Sequence, residues 1–214
     1  MLQFITDSKS RRSVEEQVKE VLSAGCRWIQ LTIDGMPEHE VRRIVEGIMP
    51  GCIEHKAFLT FRNHVALAKE INVGGVIVNP ADEFPSNART TLGAAAIVGV
   101  ELCEPDRIAS LTGLDIDYVA LRPFKATAGC DIAPIGLDGI TQLCQNLDIH
   151  NPELPRVASG GVCYDDIASL MEAGCNGIAM SEALANAKDI ATETGRCIDL
   201  LKIYEQREQD KLNH

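Results

Sequence analysis

Along most of the chain, short apolar runs rich in β-branched residues alternate with longer segments whose apolar positions recur every three or four residues. The short runs are LQFIT (2–6), WIQLTI (28–33), KAFLTF (56–61), GGVIVN (74–79), AAIVGVEL (95–102), YVALRP (118–123), RVASGG (156–161) and GIAMSE (177–182). They are mostly continuous in apolarity, which predicts strands covered on both faces. The longer segments predict helices. SVEEQVKEVLSAG opens with Ser13 three residues before Glu16, the spacing of a reciprocal cap, and stops at Gly25. EHEVRRIVEGI, HVALAKEI and CYDDIASLMEAG follow, the last stopping at Gly174, and ALANAKDIATETGRCIDLLKIYEQ closes the series. Periodicity is weakest after the fourth and fifth runs, where Pro85 and Pro105 mark short helix starts.

Strands separated by helices at this spacing predict an α/β fold, a (β/α)8 TIM barrel forming a single domain over 1–214. A doubly wound open sheet is the alternative. Against it, no G-x-G-x-x-G follows the first run, where a dinucleotide would dock.

Charge and cysteine content narrow the function. A net charge of −11 argues against general affinity for nucleic acid, which needs a basic footprint. No apolar run approaches the roughly 18 residues of a membrane span. The start, MLQFITDSKSRR, carries its basic residues after the apolar run, unlike a secretion signal, so a cytoplasmic location is expected. The 8 cysteines form no C-x-x-C pair and sit mostly among small apolar residues, as structural thiols do.

In such a barrel, chemistry sits at the C-terminal ends of the strands. Those ends read Thr6-Asp7, Gln30 to Asp34, Arg62-Asn63-His64, Asn79 to Asp82, Glu101, Arg122 to Thr127, Ser159-Gly160-Gly161 and Met180-Ser181-Glu182. They predict a polar ring around one mouth. Gly160 and Gly161 after the seventh strand and Ser181 after the eighth fall where many barrels bind phosphate, because bare glycine backbone brings N–H groups close to an anion. A plain tight turn is the competing explanation for the Gly-Gly pair.

With these motifs in order, the chain resembles the thiamin phosphate synthases and their thiazole tautomerase-like relatives. The resemblance is carried by FITD, GCRWIQL, HVALAKE with GGVIVNPAD, IVGV, DYVALRPF, PIGLDGI and SGGV…EAGCNGIAMSEAL. It implies a TIM barrel in thiamin biosynthesis that binds a thiazole phosphate and joins it to hydroxymethylpyrimidine pyrophosphate with Mg2+. Pyrophosphate departs, and the thiazole nitrogen captures the pyrimidine cation.

By this resemblance the phosphate cup maps to Gly160, Gly161, Met180 and Ser181. The pyrimidine and pyrophosphate side maps to Gln30, Thr32, Asp34, Arg62 and Glu101, with Thr32 and Asp34 standing where the family has Arg and Lys. The metal side maps to Asp82 and Asn63, the latter an amide where the family has a carboxylate. The thiazole loop maps to Ala126 and Thr127 in PFKATAGCD, where Ala128-Gly129-Cys130 occupies the region of a family lysine. Arg62 and Lys125, with Arg122, are the candidate replacement cations. These substitutions predict impaired synthase activity, and the alternative is a diverged barrel binding a phosphorylated metabolite as an isomerase or non-catalytic sensor. Small barrels often associate, so a homo-oligomer is compatible with the sequence. His64 stands beside the mouth as a possible ligand contact, and Cys130 lacks a neighbour that would activate its thiol.

Overall fold

The computed structural model describes residues 1–127 and 130–212. Its strands are β1 (Leu2–Ile5), β2 (Trp28–Leu31), β3 (Phe58–Arg62), β4 (Gly75–Val78), β5 (Ile97–Leu102), β6 (Tyr118–Leu121), β7 (Arg156–Ala158) and β8 (Gly177–Met180). All pair in parallel, and β1 closes on β8 with Leu2 opposite Ile178, so the sheet is a closed barrel in sequence order. That closure excludes the open-sheet alternative. No described helix is long and apolar enough to cross a membrane.

Around the barrel lie α1 (Val14–Ser23), α2 (Glu38–Glu54), α3 (Val65–Ile71), α4 (Pro85–Leu92), α5 (Gly136–His150), α6 (Ile167–Glu172), α7 (Glu182–Ala185) and α8 (Ile190–Leu212). A 3-10 turn, Pro105–Leu111, takes the place of a helix after β5, and a shorter one, Tyr164–Asp166, precedes α6. The Ser13–Glu16 cap forms as its spacing predicts, with the Ser13 side chain on the Glu16 N–H and the Glu16 carboxylate on the Ser13 N–H.

Several element ends differ from the sequence reading, and two have an evident physical cause. Helix α2 runs through Pro50 to Glu54, because buried Ile48 and Cys52 anchor its last turns against the core. WIQLTI stops as a strand at Leu31. There Thr32 leaves the ladder and ties itself to Thr6, donating from its N–H to Oγ1 at 2.9 Å and from its hydroxyl to the carbonyl at 2.8 Å.

Strands β2, β4, β6, β7 and β8 are buried throughout, as the continuous runs predict, while β3 leaves Phe58 exposed at its start. One face meets the helices; the other fills the lumen with Trp28, Ile77, Tyr118, Ala120, Val157 and Ala179. Space in the lumen comes from Gly99, where a Cβ would lie 2.2 Å from the Tyr118 ring. Beside Ala179 in register, Gln3 donates to Gln30 at 3.3 Å, both side chains being buried. A cavity of about 570 Å3 opens at the opposite end of the barrel, lined by Trp28, Phe58, Ile97 and Tyr118 at the strands' N-terminal ends. Barrel enzymes place their chemistry at the other mouth, so this cavity is not the candidate site.

Candidate functional site

At the C-terminal mouth, one carboxylate organises two arginines. Glu101, near the end of β5, is only 5% exposed. Its Oε1 accepts from Arg62 Nε at 2.7 Å and from Arg122 Nη1 at 2.7 Å, and its Oε2 accepts from Arg62 Nη2 at 3.0 Å. Strand register explains the second partner. Glu101 stands opposite Ala120 on β6, so Arg122, two residues on, points to the same side of the sheet. Arg62 ends β3 and reaches across β4 to the same carboxylate. Burial pushes the Glu101 carboxyl up, but hydrogen bonds from Arg62 and the charges of both arginines outweigh it and hold the group below the usual carboxylate range. Arg62 is raised in turn, mainly by its bond to Glu101.

Asp34 and His64 flank this cluster. Arg62 Nη1 lies 3.6 Å from Asp34 Oδ2, and His64 Nε2 lies 3.5 Å from Asp34 Oδ1. Asn63 and His64 both adopt left-handed backbone, with φ of 54° and 50°. That bend directs Asn63 toward β4, where its Oδ1 accepts from the Asn79 N–H at 3.0 Å and its Nδ2 donates to Asp82 Oδ2 at 3.2 Å. A Mg2+ site takes oxygen ligands. Here the amide oxygen is engaged by backbone and an N–H2 group faces the carboxylate, so the pair Asp82–Asn63 does not fit that ion. Among the described residues, no group of three or more His, Cys, Asp or Glu gathers to hold a metal.

The turn after β7 needs its glycines twice over. Gly160 and Gly161 have φ of 88° and 72°, the left-handed region. A Cβ at Gly160 would also meet Pro123 Cα at 2.9 Å, and one at Gly161 would meet Lys125 Cβ at 2.8 Å. The segment after β6 rests directly on this turn, with Phe124 N–H donating to the Ser159 carbonyl at 2.8 Å and Lys125 N–H to the Gly160 carbonyl at 2.9 Å. The N–H groups of Gly160, Gly161 and Val162, and of Ser181, Glu182 and Ala183 after β8, have no acceptor among the described residues. Unpaired donors from two adjacent strand ends suit an anion.

Lys125 stands beside this turn, its Nζ donating to both oxygens of Asp166 at 2.7 and 2.6 Å. Asp166 also accepts from the Cys163 N–H at 2.9 Å and its thiol at 3.0 Å. Burial pushes the Asp166 carboxyl up, and the bonds from Cys163 and Lys125 bring it below the ordinary value; the bond from Asp166 raises Lys125.

The other mapped residues divide by position. Gln30 is committed to Gln3 inside the barrel, and Thr32 to Thr6. Met180 is buried, with Cys197 Sγ donating to its sulfur at 3.8 Å. Ser181 opens α7, its carbonyl accepting from Leu184 and Ala185. Ala126 is exposed and Thr127 packs near Gly161, while Ala128 and Gly129 lie outside the described residues. Asp166 and Cys163 escaped the sequence reading. Their signal is the three-residue spacing of a cap just after the Gly-Gly turn.

Comparison with known proteins places this geometry in a family. A family model described as thiamine monophosphate synthase matches residues 2–184. A thiamine-phosphate synthase of Bacteroides thetaiotaomicron is 35% identical over 204 residues, covering 94% of this chain and 98% of the relative. One from Bacteroides fragilis is 33% identical over 201 residues, covering 93% and 98%. Among solved structures, a thiamine phosphate pyrophosphorylase from Pyrococcus furiosus superposes with a TM-score of 0.83 at 24% identity, covering 95% of this chain and 96% of that one. At that identity the superposition speaks for the fold.

Proposed function

Since the chain belongs to the thiamine monophosphate synthase family, we propose that its barrel binds a thiazole phosphate in the cup after β7 and β8 and transfers a pyrimidine group onto it only slowly. The observation that carries the first half is the set of N–H groups from Gly160 to Val162 and from Ser181 to Ala183 that have no acceptor among the described residues. They orient a phosphate by direct donation, and Lys125 adds a cation beside Gly161.

The second half rests on how the mouth's charges are spent. A departing pyrophosphate needs cations and, in this family, generally Mg2+. Arg62 and Arg122 stand in the mouth, yet both are shared with Glu101 and Arg62 also faces Asp34. Asp82 is bonded to an amide N–H2 rather than paired with a second carboxylate, so no step is assigned to a metal. Losing one preorganised charge-stabilising group commonly costs about 10²–10³ in rate. A transferase slower than its relatives by at least about 10²-fold follows. We place this activity in a cytoplasmic enzyme of one domain over 1–214.

The reading in which transfer is lost, leaving a barrel that binds a phosphorylated metabolite, is favoured by the same Asn63–Asp82 bond. Calorimetric titration with the thiazole phosphate, followed by a single-turnover assay with the pyrimidine pyrophosphate, separates the two. Binding with slow product formation supports the synthase. Binding with no product leaves the metabolite-binding barrel, and absence of thiazole phosphate binding refutes the synthase.

A further inference from the structure

Away from the mouth, two buried thiols meet. Cys144 in α5 and Cys175 just before β8 are 1% and 4% exposed, and their sulfurs lie 4.0 Å apart. They are the one cysteine pair in hydrogen-bond contact among the described residues. The backbone builds this approach. Gly174 turns with φ of 104°, and a Cβ on it would lie 3.2 Å from Cys144 Cβ, so the turn into β8 rests directly on α5. A disulfide bond of about 2.05 Å needs the two sulfurs to close by about 2 Å.

The surroundings make the two sulfurs unequal. Arg156, at the start of β7 and 5% exposed, donates from Nη1 to the Cys144 carbonyl at 2.7 Å and pairs through Nη2 with Asp148 at 2.7 Å. Its Nε is buried without a partner. The hydrogen bond with Cys175 lowers Cys144, burial opposes this, and the charge of Arg156 lowers it further. Cys175 is pushed up by the same bond and by burial. The thiolate is the nucleophile, so Cys144 is the attacking sulfur and Cys175 the resolving one. Burial of both excludes a bulky disulfide oxidant and leaves a molecule the size of hydrogen peroxide.

We propose that Cys144 and Cys175 are a modification site that closes to a reversible disulfide when hydrogen peroxide reaches them. The Cys144 sulfur attacks one peroxide oxygen, the O–O bond breaks, and the departing hydroxide leaves as water with the Cys144 proton. That step leaves a sulfenic acid. The Cys175 sulfur then displaces the hydroxyl group, which departs as a second water with the Cys175 proton, and the S–S bond forms. Two thiols are oxidised and one peroxide is reduced to two waters. A dithiol reductant restores both thiols by exchange. The closed loop, 144–175, contains β7, the Gly160-Gly161 turn and α6.

Treatment of the full chain with hydrogen peroxide, followed by peptide mapping without reductant, tests this. The expected product is a pair of peptides joined through Cys144 and Cys175 with loss of two hydrogens, reversed by dithiothreitol. Cys52, also 1% exposed, is expected to keep its thiol at the same dose. Cys175→Ala is expected to stop at a sulfenic acid on Cys144 that dimedone traps, and Cys144→Ala to slow thiol loss at Cys175 at least about tenfold. Oxidation confined to the partly exposed Cys103, Cys130 and Cys163 overturns the proposal, as does a linkage between any other pair. A Cys144–Cys175 link that forms only after the chain is unfolded overturns it too. If either variant does not fold, mapping of the unsubstituted chain decides.

Discussion

Arg62 grips Glu101 with two hydrogen bonds, Nε to Oε1 at 2.7 Å and Nη2 to Oε2 at 3.0 Å, across the width of an intervening strand. A carboxylate this buried is tolerable because it is paired, and removing its charge strands two guanidinium groups. Glu101→Gln is therefore expected to destabilise the fold by about 3 kcal/mol, the cost of breaking a buried pair from one side. Urea denaturation at neutral pH measures it, and a loss within the noise of a surface substitution would mean the arginines find water instead.

The same pair has a pH signature. The folded Glu101 carboxyl is held below its unfolded value of about 4.3. Its contribution to stability is thus complete above that pH and fades as pH falls through the lower folded value. Denaturation curves of wild type and Glu101→Gln should converge on acidification from pH 5 toward pH 3. Parallel curves would assign the acid sensitivity to other carboxylates.

At the glycine turn, conformation and crowding act together. Gly161→Ala must hold φ near 72° and force its Cβ to 2.8 Å from Lys125. The expected cost is about 2 kcal/mol, with loss of thiazole phosphate affinity as the segment after β6 is displaced. Gly113→Ala is the matched control, because its φ of 80° is similar and nothing lies within 4 Å of the added Cβ. It should lose only the backbone strain of about 1 kcal/mol. Equal melting shifts in the two variants would refute the crowding argument.

Lys125 and Asp166 should move phosphate affinity in opposite directions. Asp166 is the fixed anion nearest Lys125, and a ligand phosphate competes with it for the ammonium. Lys125→Gln is expected to weaken thiazole phosphate about tenfold. Asp166→Asn should tighten it about threefold, a small effect because Lys125 is half exposed. Titration of both variants checks the signs; weakening in Asp166→Asn would show that the carboxylate positions the lysine instead of opposing the ligand.

Inside the barrel, Gly99→Ala would press a methyl group onto the Tyr118 ring, which already meets Trp28 edge to face at 4.6 Å between centroids. With strands on every side there is little room to relax. Destabilisation of about 3 kcal/mol is expected by thermal denaturation, and a near-neutral result would show that the lumen yields.

The barrel itself was legible in the order of residues because its determinants are local. Continuous β-branched runs such as GVIV and amphipathic segments such as the one capped by Ser13 and Glu16 carry their periodicity in the chain, and their repeated alternation leaves few ways to bury both. The glycines after β7 were legible for the same reason, since a positive φ is a property of a single residue.

The pairing of the mouth was not. Arg62, Glu101 and Arg122 are separated by 39 and 21 positions, and nothing in their own neighbourhoods says that one carboxylate will hold two arginines. Closure of the sheet decides that, by setting Glu101 opposite Ala120 and turning Arg122 to the same side. Asn63 likewise reads as a weakened metal ligand in sequence, and only its left-handed backbone, which spends its oxygen on Asn79 and aims its amide at Asp82, decides otherwise. Which residue types reach the mouth is a matter of strand ends and alternation; what charge each still has to offer depends on the partner that the closed barrel brings within 3 Å.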